Sequence, residues 1–251
     1  MKKSGIIVLF CIMAAATLMA QAPKDGIYFA QEAAYTGGMK NQVVLKVQGG
    51  KIASANWNVV SYAAGQADLK SAAGKGGGAA TWAENAKKAE DALVSSQNAN
   101  TTSVNGVAAN FQVAPFFNLA KQALASAPVS KGSYNKDGWY FAETPADSYS
   151  TRNTALITVV NGTIVDVLWN GIINYQGLNP SKFITSSEGK YPMGTQQWHK
   201  MAELGAQALV KAGDPSKIPV KSDGKTDAIS GCTLSVKEFL DAATKALEGA
   251  K

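Results

Sequence analysis

A hexapeptide that returns 112 residues later constrains this chain more than any other feature. Asp25-Gly26-Ile27-Tyr28-Phe29-Ala30 recurs as Asp137-Gly138-Trp139-Tyr140-Phe141-Ala142, and Trp57-Asn58 recurs as Trp169-Asn170 at the same offset. Gly74-Lys75 before Trp82 answers Gly189-Lys190 before Trp198. Ala114 to Leu124 answers Lys237 to Leu247, with the offset drifting to 123 as loops lengthen. The 251 residues therefore read as two homologous domains, residues 21–129 and 130–251.

Each domain carries its elements in the same order. Gly138 to Thr144, Ala155 to Val160 and Thr163 to Trp169 are rich in β-branched and aromatic residues, and Asn161-Gly162 is a strong two-residue hairpin signal. Gly49-Gly50 plays that part between Val43 to Val47 and Lys51 to Trp57. Helical spacing takes over at Trp198, Met201, Leu204 and Ala208, and again at Val236, Phe239, Leu240, Ala243 and Leu247. Strands first and helices after predict an α+β fold, each copy an antiparallel sheet with packed helices. Gly74 to Gly78 lacks the spacing of a phosphate loop and reads as a flexible loop.

Composition narrows the function. Lys and Arg number 24 against 18 Asp and Glu, but only 17% of residues are charged and the basic residues are scattered, which argues against nucleic acid. Two Cys and one His cannot build a four-ligand zinc site of Cys and His. Lys2 and Lys3, the apolar run Gly5 to Ala20 and the polar residues after it have the layout of a secretory signal peptide over residues 1–20. Export to a periplasmic or extracellular location is expected, with no transmembrane segment in the mature chain. Removing that segment leaves Cys232 as the only thiol.

The candidate for chemistry lies before the last predicted helix. In the stretch Asp223 to Val236, Ser235 and Glu238 are spaced as a capping box, which starts the helix near Val236 and leaves Thr233 just outside it. A helix N-terminus favours an anion such as phosphate, and Gly231 and Cys232 are small enough for close backbone approach. Ser230, Thr233 and Ser235 equally suit ordinary caps, and Gly231 an ordinary turn.

The string Asp227-Ala228-Ile229-Ser230-Gly231-Cys232-Thr233 resembles the flavinylation motif of the FMN-binding domain family, found in subunits of the Rnf and Na⁺-pumping NADH:quinone reductase complexes and in small extracytoplasmic flavoproteins. The resemblance extends upstream through Gly189-Lys190-Tyr191-Pro192-Met193, Trp198, Gln207-Ala208-Leu209 and Asp223-Gly224-Lys225-Thr226, which is most of the second domain. It departs at Cys232, where the family usually has Ala. It implies covalent FMN as a phosphoester on Thr233, with Asp227, Ser230, Gly231 and Cys232 shaping the loop. It also implies an FAD:protein FMN transferase as partner, together with a redox donor and acceptor.

The first copy aligns Asn110 with Thr233, Val107 with Ser230 and Ala108 with Gly231. It has no hydroxyl to esterify and reads as degenerate. His199, Trp169 and Tyr175 are candidates for contact with the flavin ring, although the repeat-related tryptophans also suit core packing. An electron carrier is the first expectation. A flavin-dependent reductase of a small acceptor and a flavin-free secreted binding module are the alternatives.

Overall fold

The computed structural model describes residues 22–63, 68–192 and 197–251. The predicted signal peptide and Met193 lie outside the described residues.

Three strands open the first half: β1 (Gly26–Gln31), β2 (Met39–Gln48) and β3 (Lys51–Ser61), paired antiparallel in the order β1-β2-β3. Helices α1 (Leu69–Ala73), α2 (Gly77–Ser96) and α3 (Ala114–Ala125) follow. The second half repeats this with β4 (Gly138–Glu143), β5 (Arg152–Val160) and β6 (Thr163–Ile172), then α4 (Lys182–Ser187), α5 (Trp198–Ala212) and α6 (Lys237–Leu247). The expected α+β fold is observed, two antiparallel sheets each with its own helices.

The recurring hexapeptide has a local physical reason. Asp25 Oδ1 accepts from the Gly50 N–H at 3.0 Å and Asp137 Oδ1 from the Gly162 N–H at 2.9 Å, so each Asp ties the first strand to the β2–β3 or β5–β6 turn. Tyr28 and Tyr140 each donate a hydroxyl hydrogen bond to the carbonyl four residues earlier. Both sheets also change register at equivalent points, Lys46/Val47 and Thr158/Val159.

Trp-Asn recurs because it seats both the core and the next helix. Trp57 and Trp169 are each 2% exposed. Asn58 Oδ1 accepts from the N–H groups of Val59 and Lys70, and Asn170 Oδ1 from those of Gly171 and Phe183, which fixes the short helix that follows each sheet.

Two expectations are corrected. Gly74 to Gly78 is not one flexible loop: Gly77 and Gly78 form the first turn of the 20-residue helix α2. Ser235 and Glu238 do not form a capping box. The Ser235 hydroxyl donates to the Glu238 carboxylate at 2.8 Å, Val236 is the N-cap without side-chain capping, and α6 begins at Lys237.

The halves share apolar surface. Val60 and Tyr62 of the first half belong to the core of the second, and the Tyr62 and Phe183 rings stack with centroids 3.5 Å apart. Among the described residues no helix is long and apolar enough to cross a membrane.

Candidate functional site

The loop before α6 is pinned from beneath. Ile229, Cys232 and Val236 are buried in the second core, and the Gly224 carbonyl accepts from the N–H groups of both Val236 and Lys237. Thr233, between these anchors, is exposed, and among the described residues its Oγ1 meets only the Met201 sulfur, at 3.4 Å. Burial pushes the Cys232 thiol up, so it stays protonated and serves as a small core residue.

Thr233 sits on the rim of a cavity of about 610 Å³. Trp169, Trp198 and Tyr191 supply aromatic surface, and Lys182, Asn153 and the β4–β5 loop residues Thr144 and Asp147 supply polar groups. The walls are rigid for identifiable reasons. Trp169 stacks on Phe239 at 4.5 Å and 10°, meets Trp198 edge-on at 5.6 Å, and donates its indole N–H to Asn153 Oδ1 at 3.1 Å. Lys182 Nζ lies 4.7 Å from the Trp198 ring centroid and 5.0 Å from that of Tyr191. Burial pushes the Lys182 amine down to about 8, against the upward pull of Asp147 and Glu238.

The structure sorts the expected site residues. Thr233 and Trp169 line the cavity together. Asp227, Ser230, Gly231 and Cys232 belong to the loop behind Thr233 and do not line it. Asp227 pairs with Lys221 at 2.6 Å on the surface, and Gly231 is a turn residue with φ of 79°. His199 turns away, with its Nδ1 3.1 Å from the Ser186 hydroxyl and its ring edge-on to Phe183. Tyr175 is absent from the lining; Tyr191 is the tyrosine that takes part. The start of α6 is also a poorer anion site than its position suggests, because the Gly224 carbonyl occupies the Lys237 N–H and Glu238 brings a carboxylate into the first turn.

Sequence reasoning missed Lys182, Tyr191 as a wall, Asn153 and Asp147. Asn153 was within reach, since Asn41 holds the equivalent position at the repeat offset and bonds the Trp57 indole in the same way, at 2.8 Å.

The first half holds its own cavity, of about 440 Å³, in the equivalent place. Trp57, Trp82 and Asn41 stand where Trp169, Trp198 and Asn153 stand, with Asn110 at the position of Thr233 and Phe111 at that of Leu234. Among the described residues no group of three His, Cys, Asp or Glu is placed to hold a metal.

Neither a family model nor a curated protein matches the chain. The chain is similar to a protein from Clostridium thermocellum solved by NMR, at 42% identity over 47% of this chain and 93% of that one, with a TM-score of 0.38. It is also similar to a crystal structure of a protein from Clostridium perfringens, at 24% identity over 42% of this chain and 88% of that one, with a TM-score of 0.31.

Proposed function

We propose that this chain is an exported flavoprotein that carries FMN as a phosphoester on Thr233 and passes electrons between redox partners. The observation that carries the reading is the exposed Thr233 hydroxyl on the rim of an aromatic-walled cavity, within a loop whose residues resemble a flavinylation motif. The volume falls within the range of cofactor pockets. An exposed hydroxyl on a pinned loop is accessible to a modifying enzyme, here an FAD:protein FMN transferase, with FAD donating the FMN phosphoryl group as AMP leaves.

Each residue has a definite task. Thr233 supplies the ester oxygen, Ile229 and Cys232 hold its loop against the core, and Trp169, Trp198 and Tyr191 present apolar surface to the ring. Asn153 fixes the Trp169 indole. Bound flavin supplies one- or two-electron chemistry, and the protein supplies attachment and orientation.

Denaturing gels of the chain co-expressed with the transferase test this. Wild type is expected to retain a fluorescent flavin band, and Thr233→Ala to lose it. Intact mass is expected to show one FMN per chain, because Asn110 offers an amide where an ester needs a hydroxyl. A colourless wild type, or flavin surviving in Thr233→Ala, overturns the assignment.

A further inference from the structure

The two cavities share their tryptophans and differ in their charges. Ser181 and Asp68 are equivalent N-caps, each hydrogen-bonded to the Asn of its Trp-Asn pair, so the next residues, Lys182 and Leu69, occupy equivalent places, one in each cavity lining. The same comparison sets Thr144 against Glu32. The cavity of the second half therefore has a cation where that of the first half has an aliphatic side chain, and Thr144 where the other has Glu32, while Asp147, Glu238 and Asp241 also line it.

Among the described residues Lys182 has no carboxylate within 4 Å and its Nζ donates no hydrogen bond, and two aromatic rings lie against it. Asp147 and Glu238 act on it from a distance, from the β4–β5 loop and α6, and Asp241 of α6 also lines the cavity. A partly desolvated ammonium held between rings beside open space has carboxylates near it but none in contact, and a ligand can supply that contact.

We propose that Lys182 makes the cavity of the second half selective for negatively charged aromatic ligands, its ammonium meeting the charge while Trp198 and Tyr191 meet the ring. Where the flavoprotein reading holds, on which this extension rests, the charge is that of the reduced flavin ring, and Lys182 would raise the reduction potential by its contact with that charge. The cavity of the first half, with Leu69 and Glu32, lacks this preference.

The test uses a matched pair of probes on the full chain produced without the transferase: 8-anilinonaphthalene-1-sulfonate, an anion, and N-phenyl-1-naphthylamine, its neutral counterpart. Lys182→Leu, the residue of the first copy, is expected to weaken the anionic probe about tenfold and leave the neutral probe unchanged, as suits loss of one charge-assisted contact. Lys182→Arg is expected to restore the anionic probe. Unchanged anion binding in Lys182→Leu, or equal loss of both probes, overturns the proposal. In flavinylated protein a tenfold loss of preference for the reduced ring lowers the two-electron midpoint by about 30 mV. A wild type without flavin would sink the proposed function while the probe comparison still decides the role of Lys182.

Discussion

At the scale of single residues, the most informative side chains are polar ones placed where apolar ones are expected. Asn170 is 5% exposed, and its Oδ1 accepts from two backbone N–H groups while its Nδ2 donates to the Tyr62 carbonyl at 2.8 Å. Asn170→Ala would leave those groups buried and unpaired, so a loss of about 3 kcal/mol is expected in urea unfolding, against under about 1 kcal/mol for a surface Asn→Ala control. Lys182 works the other way. Its pKa is lowered to about 8 by burial, below the ordinary lysine value, so the unfolded chain binds the extra proton between about pH 8 and about 10.5. Stability owed to this group thus rises with pH across that window, and the full penalty applies below it. Lys182→Met is expected to stabilise the chain by about 1 kcal/mol at pH 7, a figure discounted for partial exposure, with the gain vanishing above about pH 10.5. Urea midpoints measured from pH 6 to 10 check both the sign and the window. Trp169 and Thr233 were legible in the sequence because one recurs and the other ends a motif. Lys182 was not, because its chemistry depends on two rings, Tyr191 and Trp198, that meet it only after folding.

At the scale of elements, hairpins were legible and one long helix was not. Asn161 and Gly162 take φ of 50° and 71°, and Gly49 and Gly50 take 60° and 69°, the left-handed pair that a two-residue turn requires. A signal carried by two adjacent residues survives without tertiary context. Helix α2 hid because its inner face is partly polar. Asn85 receives the Ala108 N–H, and Glu90 receives the Trp57 N–H at 2.7 Å and pairs with Lys70 at 2.6 Å. Those contacts break the apolar period on which a helix assignment depends. The strands also ran longer than their apolar segments, since Lys40, Asn41 and Gln42 continue β2 with polar side chains. The two turns differ in tolerance. A Cβ on Gly162 would lie 2.3 Å from the Tyr134 carbonyl oxygen, whereas nothing lies within 4 Å of one on Gly49. Gly162→Ala is expected to destabilise by about 2 kcal/mol or more, and Gly49→Asn, the residue used by the second copy, to be neutral or stabilising by up to about 1 kcal/mol. Thermal unfolding of the two variants side by side decides between them.

At the scale of the whole molecule, the repeats meet where they differ. Gln42 of the first half is fully buried and accepts from Trp139 Nε1 at 2.6 Å and Thr158 Oγ1 at 3.0 Å, while donating to Asp166 at 2.7 Å. Lys40 pairs with the same Asp166 at 2.9 Å. At the repeat offset Gln42 and Asp166 meet unlike residues, Thr154 and Ser54, and Arg152, which answers Lys40, pairs instead with Glu143 of its own half. An interface built from unmatched positions is invisible to a comparison of the copies, which explains why the sequence announced two domains but not how they join. Burial pushes the Asp166 carboxyl up and the Lys40 ammonium opposes that shift, so the pair is held as a unit in a nearly dry seam. Removing one member strands the other. Asp166→Asn is expected to destabilise the chain by about 3 kcal/mol, because a buried ammonium is left without its carboxylate. Lys40→Met combined with Asp166→Leu should recover most of that loss, since an apolar pair of similar size needs no counter-charge. Shared core residues, Val60 and Tyr62 above all, predict one cooperative transition for wild type, and Asp166→Asn should split it into two as the seam weakens before the separate cores. Calorimetry of the wild type, the single variant and the double variant reads this directly. Two transitions already present in wild type would mean that the seam contributes little and that the halves fold independently.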